Sequence, residues 1–125
     1  MGFRQPTKKL DVNGAARCVA LACEYMRRNA AAAIGIDDIA TAAGTSRRLL
    51  EKHFRSVMNT TAMHELQRIR LELVKTRLKE TDLPIKRIVE TCGFGDVSHL
   101  MKLFKRTFNV TMQTYRRSPD KRSLP

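Results

Sequence analysis

The chain has 125 residues and carries 24 Lys and Arg against 12 Asp and Glu, a formal net charge of +12 with a pI of about 10.4. That length builds one modest domain or two small coupled ones, and the basic excess favours a polyanionic partner. No apolar run can span a bilayer, and Cys18, Cys23 and Cys92 are odd in number and form no C-x-x-C pair, so they suggest neither a disulfide framework nor a zinc site and read as small buried hydrophobes.

Residues 1–12 read as a tail or interdomain linker, with Arg4, Lys8 and Lys9 beside Pro6. They lack the apolar core of a signal peptide, so a cytoplasmic location is expected. A first helix should begin near Asp11 or Asn13, either of which can cap it. Ala15, Val19, Ala22 and Met26 then step along one face. A second helix is expected from Ile36 to Ala43, with Asp37 and Asp38 in its first turn, where carboxylates complement the helix dipole. Gly44 supplies the positive φ of a turn, and Ser46 caps a third helix running to about Met58. On that helix Leu50, Phe54 and Val57 form an apolar stripe, while Arg48, Glu51, Lys52 and Arg55 gather opposite. Asn59 suits a left-handed cap.

A long helix follows, capped by Thr60 or Thr61 and running to about Thr81. Ala62, Leu66, Ile69 and Leu73 form one stripe; Leu71, Val74 and Leu78 form a second, which predicts packing against two bodies. Twenty helical residues rise about 30 Å, close to one turn of B-DNA at about 34 Å, so the helix reads as a rigid spacer. Pro84 suits the first turn of a fifth helix that ends at Gly93. Asp96 caps a sixth, through Phe108, with Leu100, Leu103 and Phe104 buried and Ser98, Met101, Lys102 and Lys105 opposite. A short last helix follows Thr111, and the end of the chain frays. The expected fold is all-α: seven helices in two helix-turn-helix subdomains, residues 13–59 and 82–118, joined by a linker helix over 60–81, with a tail at 119–125.

The two subdomains are copies of one pattern. Ile36, Ile39, Gly44, Ser46, Leu50, Phe54, Met58 and Asn59 recur as Ile85, Ile88, Gly93, Asp96, Leu100, Phe104, Phe108 and Asn109, with one extra residue in the second turn. Short helix, glycine turn, second helix is the sequence form of a helix-turn-helix.

Other partners fit less well. The chain has no Trp and its apolar stripes fall at core spacing, unlike a membrane-surface helix. Two Tyr and five Phe, mostly at core spacing, offer few platforms for stacking RNA bases. His53, His64 and His99 lack metal-ligand spacing. No Ser/His/Asp order, phosphate loop or carboxylate pair stands out, so no enzyme activity, metal or cofactor is expected.

The ordered set from Ile36 to Arg117 resembles the DNA-binding domain of the AraC/XylS family of bacterial transcription regulators. The set is Ile39-Ala40, Ala43-Gly44-Thr45-Ser46, Leu50 and Phe54; Arg68-Ile69-Arg70-Leu71 on the connecting helix; Ile85, Ile88-Val89, Cys92-Gly93-Phe94, Leu100 and Phe104-Lys105; and Tyr115-Arg116. Ser46-Arg47-Arg48 with Leu50-Glu51-Lys52 is similar to the xylose-regulator group. The resemblance implies two recognition helices in adjacent major-groove segments of double-stranded DNA. Carried over by motif, Arg48, Glu51 and Lys52 face bases in the first unit, and Val97, Ser98, His99 and Lys102 in the second. Ser46, Arg47, Arg55, Lys86, Arg87 and Lys105 are the corresponding candidates for phosphate contacts.

Arg and Lys donate to guanine, Glu accepts from cytosine, Val meets a thymine methyl and Ser serves either base type. Glu51 is expected to read cytosine or to hold a neighbouring Arg, and the chemically quieter second set to discriminate less. The resemblance further implies an activator that touches RNA polymerase, and a separate effector-binding or dimerisation domain elsewhere in the protein. The chain departs from the family at Met112, where Pro usually opens the last helix, and at Asn109, near which Gly is usual; Tyr115 is expected to anchor that helix. The alternative reading is a sequence-indifferent basic protein that coats or shapes nucleic acid.

Overall fold

A computed structural model describes the backbone of residues 4–119 and the side chains of residues 14–119. Among the described residues every regular element is a helix: α1 (Arg4–Asn29), α2 (Ile36–Ala42), α3 (Arg47–Met58), α4 (Ala62–Glu80), α5 (Ile85–Thr91), α6 (Val97–Phe108) and α7 (Met112–Arg117). The chain divides into two compact units, Met1–Ile69 and Arg70–Pro125, so the boundary falls inside α4. α4 thus contributes residues to both units.

In the first unit α1 packs on α2 and α3, and α2 on α3. Val19, Ala22 and Met26 of α1 are buried, as are Ile39 and Ala40 of α2, Leu50 and Phe54 of α3, and Ala62, Leu66 and Ile69 of α4. The sequence placed the start of α1 too late. Residues 4–12 are helical, not a tail, and neither Asp11 nor Asn13 is the cap. Pro6 falls in the first turn, where an amide would have no intrahelical acceptor, so its missing N–H costs no hydrogen bond. Residues 1–3 of the expected tail, and 120–125 of the other, lie outside the described residues. Val57 also departs from expectation: it is 44% exposed, because the last turn of α3 runs out past the core that Leu50 and Phe54 fill.

In the second unit Leu71, Val74 and Leu78 of α4 form one buried cluster with Ile88 and Val89 of α5 and its C-cap Cys92, with Leu100, Leu103 and Phe104 of α6, and with Met112 of α7. Leu73, expected on the first stripe, packs against this cluster instead. It lies beyond the boundary, within the second unit. Pro84, expected in the first turn of α5, is its N-cap, and its carbonyl accepts from the Arg87 and Ile88 amides at 2.9 and 3.1 Å. Met112 does open α7; Thr111 caps it, its hydroxyl accepting from the Thr114 amide at 3.1 Å, which supplies the start that Pro would otherwise pre-set. Tyr115 anchors α7, its ring centroid 5.9 Å from that of Phe104.

Candidate nucleic-acid interface

The first turn is built as its residues dictate. Gly44 has φ +71°, and the Gly44 and Thr45 amides donate to the Thr41 and Ala40 carbonyls, each at 3.0 Å. The Ser46 hydroxyl accepts from the Leu49 amide at 3.2 Å and starts α3. Asn59 ends it with φ +56°. Leu50 and Phe54, fully buried, fix the rotation of α3 about its axis. Arg48, Lys52 and Arg55 are therefore exposed on the far side.

Arg47 and Glu51, both expected contacts, are engaged within the protein. Arg47 Nε lies 3.4 Å from Asp37 Oδ1, an exposed pair of the kind that contributes little to stability. Glu51 is half-buried, and its Oε1 accepts from the Ala62 amide at 3.2 Å. Its partner is thus the first residue of α4, where the sequence pointed to a cytosine or a neighbouring Arg.

The second unit repeats this construction with other side chains. Gly93 turns with φ +87° and Asn109 ends α6 with φ +63°. The Asp96 carboxylate accepts from the Ser98 and His99 amides at 2.9 and 3.3 Å, placing negative charge at the positive end of the helix. Ser98, His99, Lys102 and Lys105 are exposed. Met101 stands among them at 54% exposed. Val97 does not join this group as the sequence suggested: it is half-buried and packs against the core cluster, as the first residue of α6. Lys86 and Arg87 are exposed at the start of α5, Arg87 Nη1 lying 3.8 Å from Glu90 Oε1.

Several supporting groups escaped the sequence. The Arg116 guanidinium donates to the Leu78 and Thr81 carbonyls, and Lys79 donates to the Ser118 carbonyl, so α7 holds the end of α4. Lys75 Nζ sits 4.5 Å from the centroid of Phe108. The only available signal was Tyr115-Arg116, which could have been assigned to phosphates as readily as to carbonyls. In the first unit Glu65 is buried and holds Arg68 through two hydrogen bonds of 3.0 and 2.7 Å. Burial pushes the thiols of Cys18, Cys23 and Cys92 up from their ordinary pKa, so they stay neutral. Among the described residues no three His, Cys, Asp or Glu gather as a metal site, and no helix is long and apolar enough to cross a membrane.

Two copies of a helix, a left-handed turn and a second helix with one buried and one basic or polar face define a helix-turn-helix DNA-binding domain. A family model described as a helix-turn-helix domain matches residues 39–118, and the chain belongs to that family in its AraC-type form, the DNA-binding domain of transcription regulators. It is 31% identical over 95 residues to the xylose operon regulatory protein of Haemophilus influenzae, covering 76% of this chain and 24% of that protein. It is 41% identical over 84 residues to the transcriptional activator NphR of Rhodococcus sp, covering 67% and 25%. A transcriptional regulator from Chromobacterium violaceum, described as of AraC-type DNA-binding domain-containing proteins, matches with a TM-score of 0.79 at 28% identity, covering 86% of this chain and 99% of that one. The chain spans about a quarter of the length of the two curated relatives.

Proposed function

We propose that α3 and α6 enter adjacent major-groove segments of one duplex, and that the chain thereby directs a bacterial transcription regulator to an asymmetric site. The observation that carries this is the pairing of buried stripes with exposed polar faces on both helices: Leu50 and Phe54 against Arg48 and Lys52, Leu100 and Phe104 against Ser98, His99 and Lys102. A solubilising surface has no need to repeat that division at the same place in two copies. Arg48 and Lys52 suit guanine O6 and N7, Ser98 suits either base type, and Lys102 reaches guanine or phosphate. Val97 and Glu51 contribute less directly to reading, given their packing and their partner.

Ser46, Arg47, Arg55, Lys86, Arg87 and Lys105 supply the phosphate contacts. Ser46 keeps its hydroxyl hydrogen for a phosphate while its oxygen caps α3. Most affinity then comes from phosphate neutralisation and counterion release, and specificity from the base edges. Transcription activation, with RNA polymerase as the partner, agrees with a relative named as a transcriptional activator, and control by an effector-binding or dimerisation domain agrees with relatives about four times as long as the matched stretch. Selection of bound sites from a random duplex pool tests the reading. An enriched, non-palindromic motif that survives excess non-specific duplex is expected. Enrichment of no motif would leave the sequence-indifferent binder as the better account.

A further inference from the structure

We infer that Glu51 is a positioning residue: its carboxylate ties α3 to the first amide of α4 and so sets the pose of Arg48 and Lys52, without itself reading a base. This rests on the DNA-reading function proposed above. Three observations carry it. The Ala62 amide is one of the four at a helix start that lack an intrahelical acceptor, and Glu51 Oε1 accepts from it at 3.2 Å across a separation of eleven residues. The ordinary cap is already present, since Thr61 Oγ1 accepts from the His64 amide at 3.0 Å; Glu51 is therefore an added tie between two helices. Glu51 is also half-buried, while Arg48 and Lys52, beside it on α3, are exposed.

The second copy sharpens the point. By the internal repeat Thr111 stands where Thr61 stands and caps α7 in the same way. Met101 and Met112 stand where Glu51 and Ala62 stand, so the carboxylate tie belongs to the first copy alone. A carboxylate near phosphates opposes binding electrostatically. Engagement with a helix N-terminus, where negative charge is favoured, gives it a reason to be there.

The test compares E51Q and E51A in the full chain, with the exchange rate of the Ala62 amide and site selection from a random duplex pool as readouts. The Gln carbonyl can still accept from Ala62. E51Q is therefore expected to keep that amide protected and to keep the preferred base at every position, with affinity raised alike for all sequences by the lost negative charge. E51A is expected to speed Ala62 exchange and to weaken discrimination, by about tenfold, at the base pairs that Arg48→Ala and Lys52→Ala identify. A swap of the preferred base from cytosine to adenine at one base pair in E51Q would overturn the inference, because Glu suits cytosine N4 and Gln suits adenine. Equal Ala62 exchange in wild type and E51A would overturn it as well. If the wild-type chain selects no motif, the DNA-reading function fails, while Ala62 exchange still decides whether the tie exists.

Discussion

Arg116 donates from Nε to the carbonyl of Leu78 at 3.1 Å, and the same guanidinium reaches Thr81 through Nη2 at 3.1 Å. The last carbonyls of a helix lack intrahelical donors, and a cation there meets the negative end of the dipole. The end of α4 is therefore completed by a residue 38 positions further along the chain.

Arg116→Ala should destabilise the second unit by about 1–3 kcal/mol, the range for hydrogen bonds from a charged donor and the groups left behind. Arg116→Lys should recover only part of this, because an ammonium lacks the planar fork that spans two carbonyls. Chemical denaturation of the two variants measures both losses.

Phe104→Ala should cost about 3–5 kcal/mol. Phe104 is fully buried, its ring 4.7 Å from Phe108 and 5.9 Å from Tyr115, centroid to centroid. Phe54→Ala should cost a similar amount in the first unit, where Phe54 is equally buried. Thermal or denaturant unfolding of each variant checks the pair.

Arg48→Ala should remove about 1–3 kcal/mol of discrimination at a single base pair. Lys86→Ala should weaken binding uniformly across sequences and lower the salt slope by about 1. Titrations with single-substitution duplexes at several salt concentrations separate the two behaviours. A steeper base-pair penalty in the half-site bound by α6 than in that bound by α3 would contradict the expectation that the first copy discriminates more.

Gly44→Ala should destabilise by about 1–2 kcal/mol from conformation alone. Its φ is +71°, yet a methyl group there would meet nothing within 4 Å. Gly44→Asn should cost less, because Asn tolerates the left-handed region, as Asn59 and Asn109 already do in this chain. Melting temperatures of the two variants should rank accordingly.

The three thiols are harder to ionise folded than unfolded, since burial is the largest cause of each raised pKa. Their contribution to stability is present in full below the unfolded thiol pKa and is lost as pH rises from there through the higher folded values. Stability should decline above the ordinary thiol value of 9.0, and less steeply in a chain with the three cysteines replaced by Ser or Ala. Thiol labelling of the native chain should be slow until denaturant is added.

Much of this was legible in the sequence because it is local. Ser46, Asp96, Gly44, Asn59 and Asn109 each act on backbone a few residues away, and the stripes Leu50–Phe54 and Leu100–Phe104 follow from helical period. What escaped was tertiary. No periodicity says that Glu51 meets Ala62, or that Arg116 meets Leu78, because each joins a side chain on one helix to backbone on another. Leu73 and Val97 were misassigned for a related reason: a helical wheel gives the angle of a side chain but not which core lies beyond it. The start of α1 is hard to read because Pro6 is as common in a linker as in a first helical turn, which accepts proline without loss.

Two short helices of the reading machinery set how it fails. α2 and α5 have seven residues each, far below the length at which a helix persists alone in water. They exist because Ile39 and Ala40, or Ile88 and Val89, are buried. A turn and its recognition helix therefore stand or fall with the core beneath them. Weakening that core should not blur how a copy reads DNA; it should reduce the number of molecules that read at all, so a damaged variant would behave like a diluted wild type.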